Sequence, residues 1–94
     1  MRFKDKIVLI TGGASRIGRE TAVQFAQNGA KIGIFDLDKN KIESVQKQIM
    51  NYCDDFISIT GDVSNKKNVH ECVETLFEKY GDIDYLINSA GILK

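Results

Sequence analysis

The sequence contains no proline. Pro-rich linkers and polyproline II ligands are thereby excluded, and glycine is left to punctuate the chain. Cysteine is scarce: Cys53 and Cys72 stand too far apart for a Cys-x-x-Cys metal or redox motif, so two reduced thiols are expected. Net charge is absent as well, since thirteen Lys and Arg balance thirteen Asp and Glu. A protein that neutralises nucleic-acid phosphates needs a basic excess, so nucleic acid is not an expected partner. No apolar run approaches the ~20 residues that cross a bilayer. The opening Met1-Arg2-Phe3-Lys4-Asp5 is charged too early for a signal peptide. A cytoplasmic chain without a membrane partner is the expectation. What is present is 94 residues, 43% of them hydrophobic, enough for one small globular domain.

Glycine falls at regular places. Lys6-Ile7-Val8-Leu9-Ile10-Thr11 is a β-branched apolar run that ends at Gly12-Gly13. Apolar at nearly every position, it suits a parallel strand buried on both faces. Arg16 to Asn28 turns helical, with Ile17, Ala22, Phe25 and Ala26 near one stripe and Gly29 as the stop. Lys31 to Asp36 reads as a second strand. Asp38 is placed to cap a helix carrying Ile42, Val45 and Ile49. Phe56 to Thr60 reads as a third strand, closed by Gly61-Asp62. Ser64 is placed to cap a third helix with Val69, Val73, Leu76, Phe77 and Tyr80 on one face, stopped by Gly81. Ile83 to Asn88 forms a fourth strand.

The order β-α-β-α-β-α-β implies an α/β fold with a parallel sheet and right-handed crossovers. A doubly wound, Rossmann-type arrangement of four strands and three helices predicts the order 3-2-1-4. The switch point then lies between strands one and four, and ligands bind beyond the strand C-termini. Gly12, Asp36, Asp62 and Asn88 all fall there. Residues spread over the whole chain thus converge on one crevice.

Thr11 to Gly18 joins the first strand to the first helix. A dinucleotide needs a tight turn there, small residues against the pyrophosphate, and helix N-terminal amides. Gly12, Gly13, Ala14 and Ser15 meet the first two needs, and Gly18 allows close helix packing. The spacing departs from G-x-G-x-x-G, so a plain strand-to-helix turn remains open on this segment alone. Asp36 follows Gly18 by eighteen residues, near the ~20-residue offset at which a carboxylate meets the adenosine ribose. Such a carboxylate accepts both ribose hydroxyls and repels a 2′-phosphate, which favours NAD over NADP. Arg16 pulls the other way, as a cation within reach of a 2′-phosphate.

These residues resemble the N-terminal, cofactor-binding half of the short-chain dehydrogenase/reductase family, over essentially the whole chain. The family pattern T-G-x-x-x-G-x-G is similar to Thr11–Gly18, its acidic strand end to Asp36, and its Asp-Val pair to Asp62-Val63. Its Asn-x-Ala-Gly is similar to Asn88-Ser89-Ala90-Gly91, and its run into the fourth strand to Gly81-Asp82-Ile83-Asp84. The resemblance implies an NAD(P)-dependent oxidoreductase that moves hydride between cofactor and a carbonyl or alcohol, with 3-oxoacyl reduction among the options. It also implies roles by position. Gly12, Ser15 and Ile17 line the pyrophosphate and nicotinamide-ribose side, Asp36 holds the adenosine ribose, Asp62 and Val63 flank the adenine. Asn88, Ala90 and Gly91 form the floor between the cofactor halves.

Two departures stand out. Arg16 occupies the place of the family's middle glycine, so it either swings out to pair with phosphate or obstructs the site; obstruction is the favoured expectation. The family's catalytic serine, and its tyrosine and lysine in Tyr-x-x-x-Lys, lie beyond Asn-x-Ala-Gly, where these residues stop. Tyr52, Tyr80 and Tyr85 each lack a lysine four residues on and read as packing residues, and His70 as a surface side chain. No catalytic residue and no metal site is therefore expected in residues 1–94, which read as a partial NAD(P)-binding domain, inactive by itself. A small-molecule substrate would bind only with the other half present. The alternatives are a truncated, non-catalytic nucleotide-binding remnant and one piece of a split protein. The first two helices are expected on one sheet face and the third on the other. That leaves the apolar fourth strand as an open edge and a route to self-association.

Overall fold

The computed structural model describes residues 2–12, 14–53 and 55–89. Strands β1 (Ile7–Thr11), β2 (Lys31–Asp36), β3 (Phe56–Thr60) and β4 (Tyr85–Asn88) alternate with helices α1 (Arg16–Gln27), α2 (Lys39–Ile49) and α3 (Lys66–Tyr80). The four strands make one parallel sheet in the order β3-β2-β1-β4. This is the doubly wound arrangement expected from the sequence.

The register decides which side chains share a face. Val8 pairs with Ile32, and Ile10 with Ile34, so these four point to one side, where Ala22, Val23 and Ala26 of α1 and Ile42, Val45 and Ile49 of α2 meet them. Ile7, Leu9 and Phe35 point to the other side, against Cys72 and Leu76 of α3. Each fully buried Val, Leu, Ile or Phe is worth roughly 1.5–3 kcal/mol of transfer free energy, so both faces contribute to holding β1 and β2 central. Two helices thus cover one face and one covers the other. Close approach of α3 to the sheet depends on Gly33: a Cβ there would lie 2.7 Å from Leu76 Cδ2.

Three local expectations are corrected. Ile17 is not in the buried stripe of α1 but 71% exposed. The stripe runs through Gly18, Ala22, Val23 and Ala26, and Ile17 sits about one residue's rotation outside it. Phe77 is likewise 46% exposed, and Cys72 takes the core position, four residues before Leu76. Helix α3 is capped by Asn65 and not by Ser64. The Asn65 Oδ1 accepts the N–H groups of Lys67 and Asn68 at 3.0 and 3.2 Å, while Ser64 is bonded to Asp62. The cap of α2 by Asp38 is as expected, α1 is capped by Ser15, and Gly81 ends α3 with φ +81°.

The N-terminal edge of the sheet is closed by side chains. Ile7 N–H donates to Asp84 Oδ2 at 2.8 Å and Asp84 N–H to Ile7 O at 2.8 Å, which seats the start of β4. Tyr80 Oη donates to Asp55 Oδ1 at 2.7 Å, with Lys79 Nζ 3.1 Å from the same oxygen. β4 is exposed along its length except at Ile87, and Leu86 is 63% exposed. Among the described residues no helix is long and apolar enough to cross a membrane.

Candidate functional site

Beyond the C-terminal ends of the strands lies a cavity of about 270 Å³ lined by Gly12, Ser15, Asp36, Leu37, Gly61, Asp62, Val63 and Ser89. Five of these, Gly12, Ser15, Asp36, Asp62 and Val63, are residues singled out in the sequence. They meet because β1, β2 and β3 end in register: Thr11 pairs with Phe35, and Asp36 with Thr60.

The turn after β1 is built on Gly12, whose φ of +70° an L side chain rarely adopts. Its N–H donates to Phe35 O at 2.7 Å, and its carbonyl accepts Ser15 N–H at 3.0 Å. Ser15 is the N-cap of α1, its Oγ accepting Gly18 N–H at 3.1 Å. The serine expected to face pyrophosphate thus also starts the helix, and Gly18 is buried in its first turn.

Asp36 is half-buried and tied at both oxygens. Oδ2 accepts Ala14 N–H at 3.0 Å and Oδ1 accepts Asp38 N–H at 3.0 Å. Asp62 is exposed, and Oδ1 accepts both the backbone N–H (2.9 Å) and the hydroxyl (2.7 Å) of Ser64. Those two donors, the backbone N–H first, hold its carboxyl below the usual carboxylate range. Its backbone N–H in turn donates to Asn68 Oδ1 at 3.1 Å. The adjoining Gly61 has no space for a side chain: a Cβ would lie 2.8 Å from Phe35 Cζ.

Other predicted site residues lie beside this cavity. Arg16 is exposed and lines a second cavity of about 370 Å³ with Ala14, Ser15, Arg19, Glu20 and Lys41, joined to the first through Ser15. Ile17 lines neither cavity. Asn88 sits at the end of β4, where its Oδ1 accepts the Thr11 hydroxyl at 2.9 Å. Ala90 and Gly91 lie outside the described residues.

Sequence reasoning missed Leu37, Gly61 and Ser89 in the crevice. Leu37 and Gly61 adjoin residues that were named, so adjacency at strand ends was the available signal. Ser89 stood at the variable position of Asn-x-Ala-Gly, where the pattern itself points to no role. The remaining titratable groups belong elsewhere. Burial pushes the Cys72 thiol up to about 11, away from nucleophilic use. Burial, and then the bond to Asp55, raise the Tyr80 phenol. His70 is largely exposed and paired with Glu74 at 2.6 Å. Among the described residues no group of three or more His, Cys, Asp and Glu is arranged to hold a metal.

Two carboxylates at one end, small residues in the middle and a helix N-terminus fit an adenosine diphosphate moiety: acceptors for ribose hydroxyls and an adenine amine, and backbone approach for phosphates. The family described as short chain dehydrogenase matches residues 6–94. Levodione reductase of Leifsonia aquatica is 38% identical over 93 residues, 97% of this chain and 35% of the reductase. The 3-oxoacyl-[acyl-carrier-protein] reductase of Thermotoga maritima is 37% identical over 94 residues, 100% of this chain and 38% of the reductase. Among solved structures, a levodione reductase superposes with a TM-score of 0.92 at 38% identity, over 97% of this chain and 36% of that one. An NAD+-bound xylitol dehydrogenase gives 0.93 at 28% identity, over 98% of this chain and 35% of that one. The chain therefore spans little more than a third of the length of these proteins.

Proposed function

The chain belongs to the short-chain dehydrogenase family, and on that premise we propose that residues 1–94 bind NAD as the dinucleotide-binding half of a carbonyl or alcohol oxidoreductase. The observation that carries this reading is the meeting of Gly12, Asp36 and Asp62 in one crevice. Asp36 accepts the adenosine ribose hydroxyls, Asp62 offers an oxygen to the adenine amine, and Val63 offers an apolar face. Gly12, Ser15 and the first turn of α1 receive the pyrophosphate, with Gly18 and Ile17 on that turn. Asn88 forms part of the floor toward the nicotinamide. Hydride transfer is the chemistry such a cofactor supplies.

NAD is favoured over NADP because a carboxylate at Asp36 repels a 2′-phosphate. Arg16 lines the adjoining cavity with Arg19 and Lys41 and leaves the crevice wall to smaller residues. That placement supports the outward reading of Arg16 over obstruction, with its charge acting on a phosphate from the side. The xylitol dehydrogenase with a similar fold carries NAD+. Reduction of a 3-oxoacyl group or of levodione is the substrate range suggested by the relatives' names.

A binding-only role is the second reading, favoured by where the tyrosines are spent. Tyr80 is held by Asp55 at the opposite sheet edge, and Tyr85 packs edge-on against Phe3. Calorimetric titration with NAD, NADP and ATP tests the proposal. Saturable NAD binding tighter than that of NADP and ATP is expected, and no NAD binding overturns it. Turnover of a ketone panel by the full gene product separates the two readings.

A further inference from the structure

We propose that Ser89 is a positioning residue that holds the phosphate loop in its binding shape, an inference that rests on the dinucleotide reading above. Ser89 follows β4 directly, and its backbone N–H continues the parallel ladder to Thr11 O at 3.0 Å. Its hydroxyl does something the ladder does not require. Oγ lies 2.8 Å from Thr11 O and 3.1 Å from Gly12 O, so one proton is shared between the two carbonyls that open the turn.

The second of these bonds matters for an anion. Gly12 O already accepts Ser15 N–H at 3.0 Å, and with the Ser89 hydroxyl both of its lone pairs are taken inside the protein. A carbonyl so engaged cannot turn its partial negative charge toward a pyrophosphate. Without the hydroxyl, one lone pair is free and the peptide after a glycine has little steric resistance to rotation. The neighbouring link, Thr11 Oγ1 to Asn88 Oδ1, joins the same two strand ends. Ser89 adds a side chain through which β4 grips the loop carbonyls themselves. It is half-buried and lines the crevice, so its truncation removes a hydrogen bond without opening the core.

The test uses the full gene product with Ser89→Ala and Ser89→Thr, NAD calorimetry, and amide hydrogen exchange at Ser15, whose N–H reports on Gly12 O. Ser89→Ala is expected to weaken NAD about fivefold, the loss of one hydrogen bond, and to speed Ser15 exchange. Ser89→Thr, which keeps the hydroxyl, is expected to restore both. Wild-type affinity and exchange in Ser89→Ala would overturn the proposal. So would faster exchange spread evenly over β1 and β4 with unchanged affinity, the mark of a merely structural contact. If the wild-type protein binds no dinucleotide, the functional reading fails, and the exchange at Ser15 still decides whether Ser89 holds the loop.

Discussion

The Asp36 carboxylate accepts the backbone N–H of Ala14 at 3.0 Å, so the end of β2 is fastened to the loop that follows β1. The residue proposed to read a ribose also shapes the turn beside it. Its two tasks separate by substitution. Asp36→Asn keeps an acceptor oxygen for Ala14 and removes the charge, and is expected to tighten NADP about tenfold while weakening NAD, since one charge near a phosphate is worth about 1 kcal/mol or more. Asp36→Ala removes both and is expected to weaken both dinucleotides. Calorimetric titration of each variant checks this; an unchanged NAD-to-NADP ratio in Asp36→Asn would show that the ribose lies elsewhere.

Arg16 lines the neighbouring cavity with Arg19 and Lys41. Arg16→Gly is accordingly expected to weaken NADP about threefold, in the range of an exposed ion pair, and to leave NAD within about twofold. Tighter NAD binding by the variant would mean that the arginine obstructs the crevice after all.

Gly61 stands against the Phe35 ring, which is fully buried and has nowhere to retreat. Gly61→Ala is expected to cost about 1–3 kcal/mol, read as a lower urea midpoint. Combining it with Phe35→Leu should recover part of that loss relative to the sum of the single variants. Simple additivity would place the strain elsewhere.

Asp55 has its carboxyl held below 3.8 by the Tyr80 hydroxyl first and by Lys79 as well. A depressed folded-state value contributes stability that is present above the unfolded value and is lost as pH falls below it. Tyr80 has the opposite sign: its phenol is raised from 10.0, so its contribution holds below that value and is lost as pH rises through it. Tyr80→Phe is expected to cost about 1 kcal/mol near neutrality and to flatten stability at both extremes. Denaturant titrations at acid, neutral and alkaline pH check it; an identical acid limb in the variant would remove Tyr80 from the account.

The sequence by itself determined the architecture of this protein. Continuous apolar runs such as Ile7 to Ile10 have to be covered on both faces, and alternation with helices of one apolar stripe leaves a parallel sheet as the solution. The glycine turn, Asp36 and Asp62 were legible because strand ends carry their residues to one edge whatever the packing details. Tertiary structure alone decided what each side chain does once there. Whether Ile17 or Gly18 turns inward depends on the rotation of α1 against the sheet. The hydroxyl of Ser64 goes to Asp62 and leaves the cap to Asn65, a choice between acceptors a few ångströms apart. The positions of Arg16 and Ser89 were decided in the same way. The arginine lines a cavity shared with α2, and the serine bonds two carbonyls more than seventy positions earlier. Period and spacing specify which face or edge a residue occupies; the direction of its polar atoms is set by neighbours distant in the chain, and those exist only in the folded molecule.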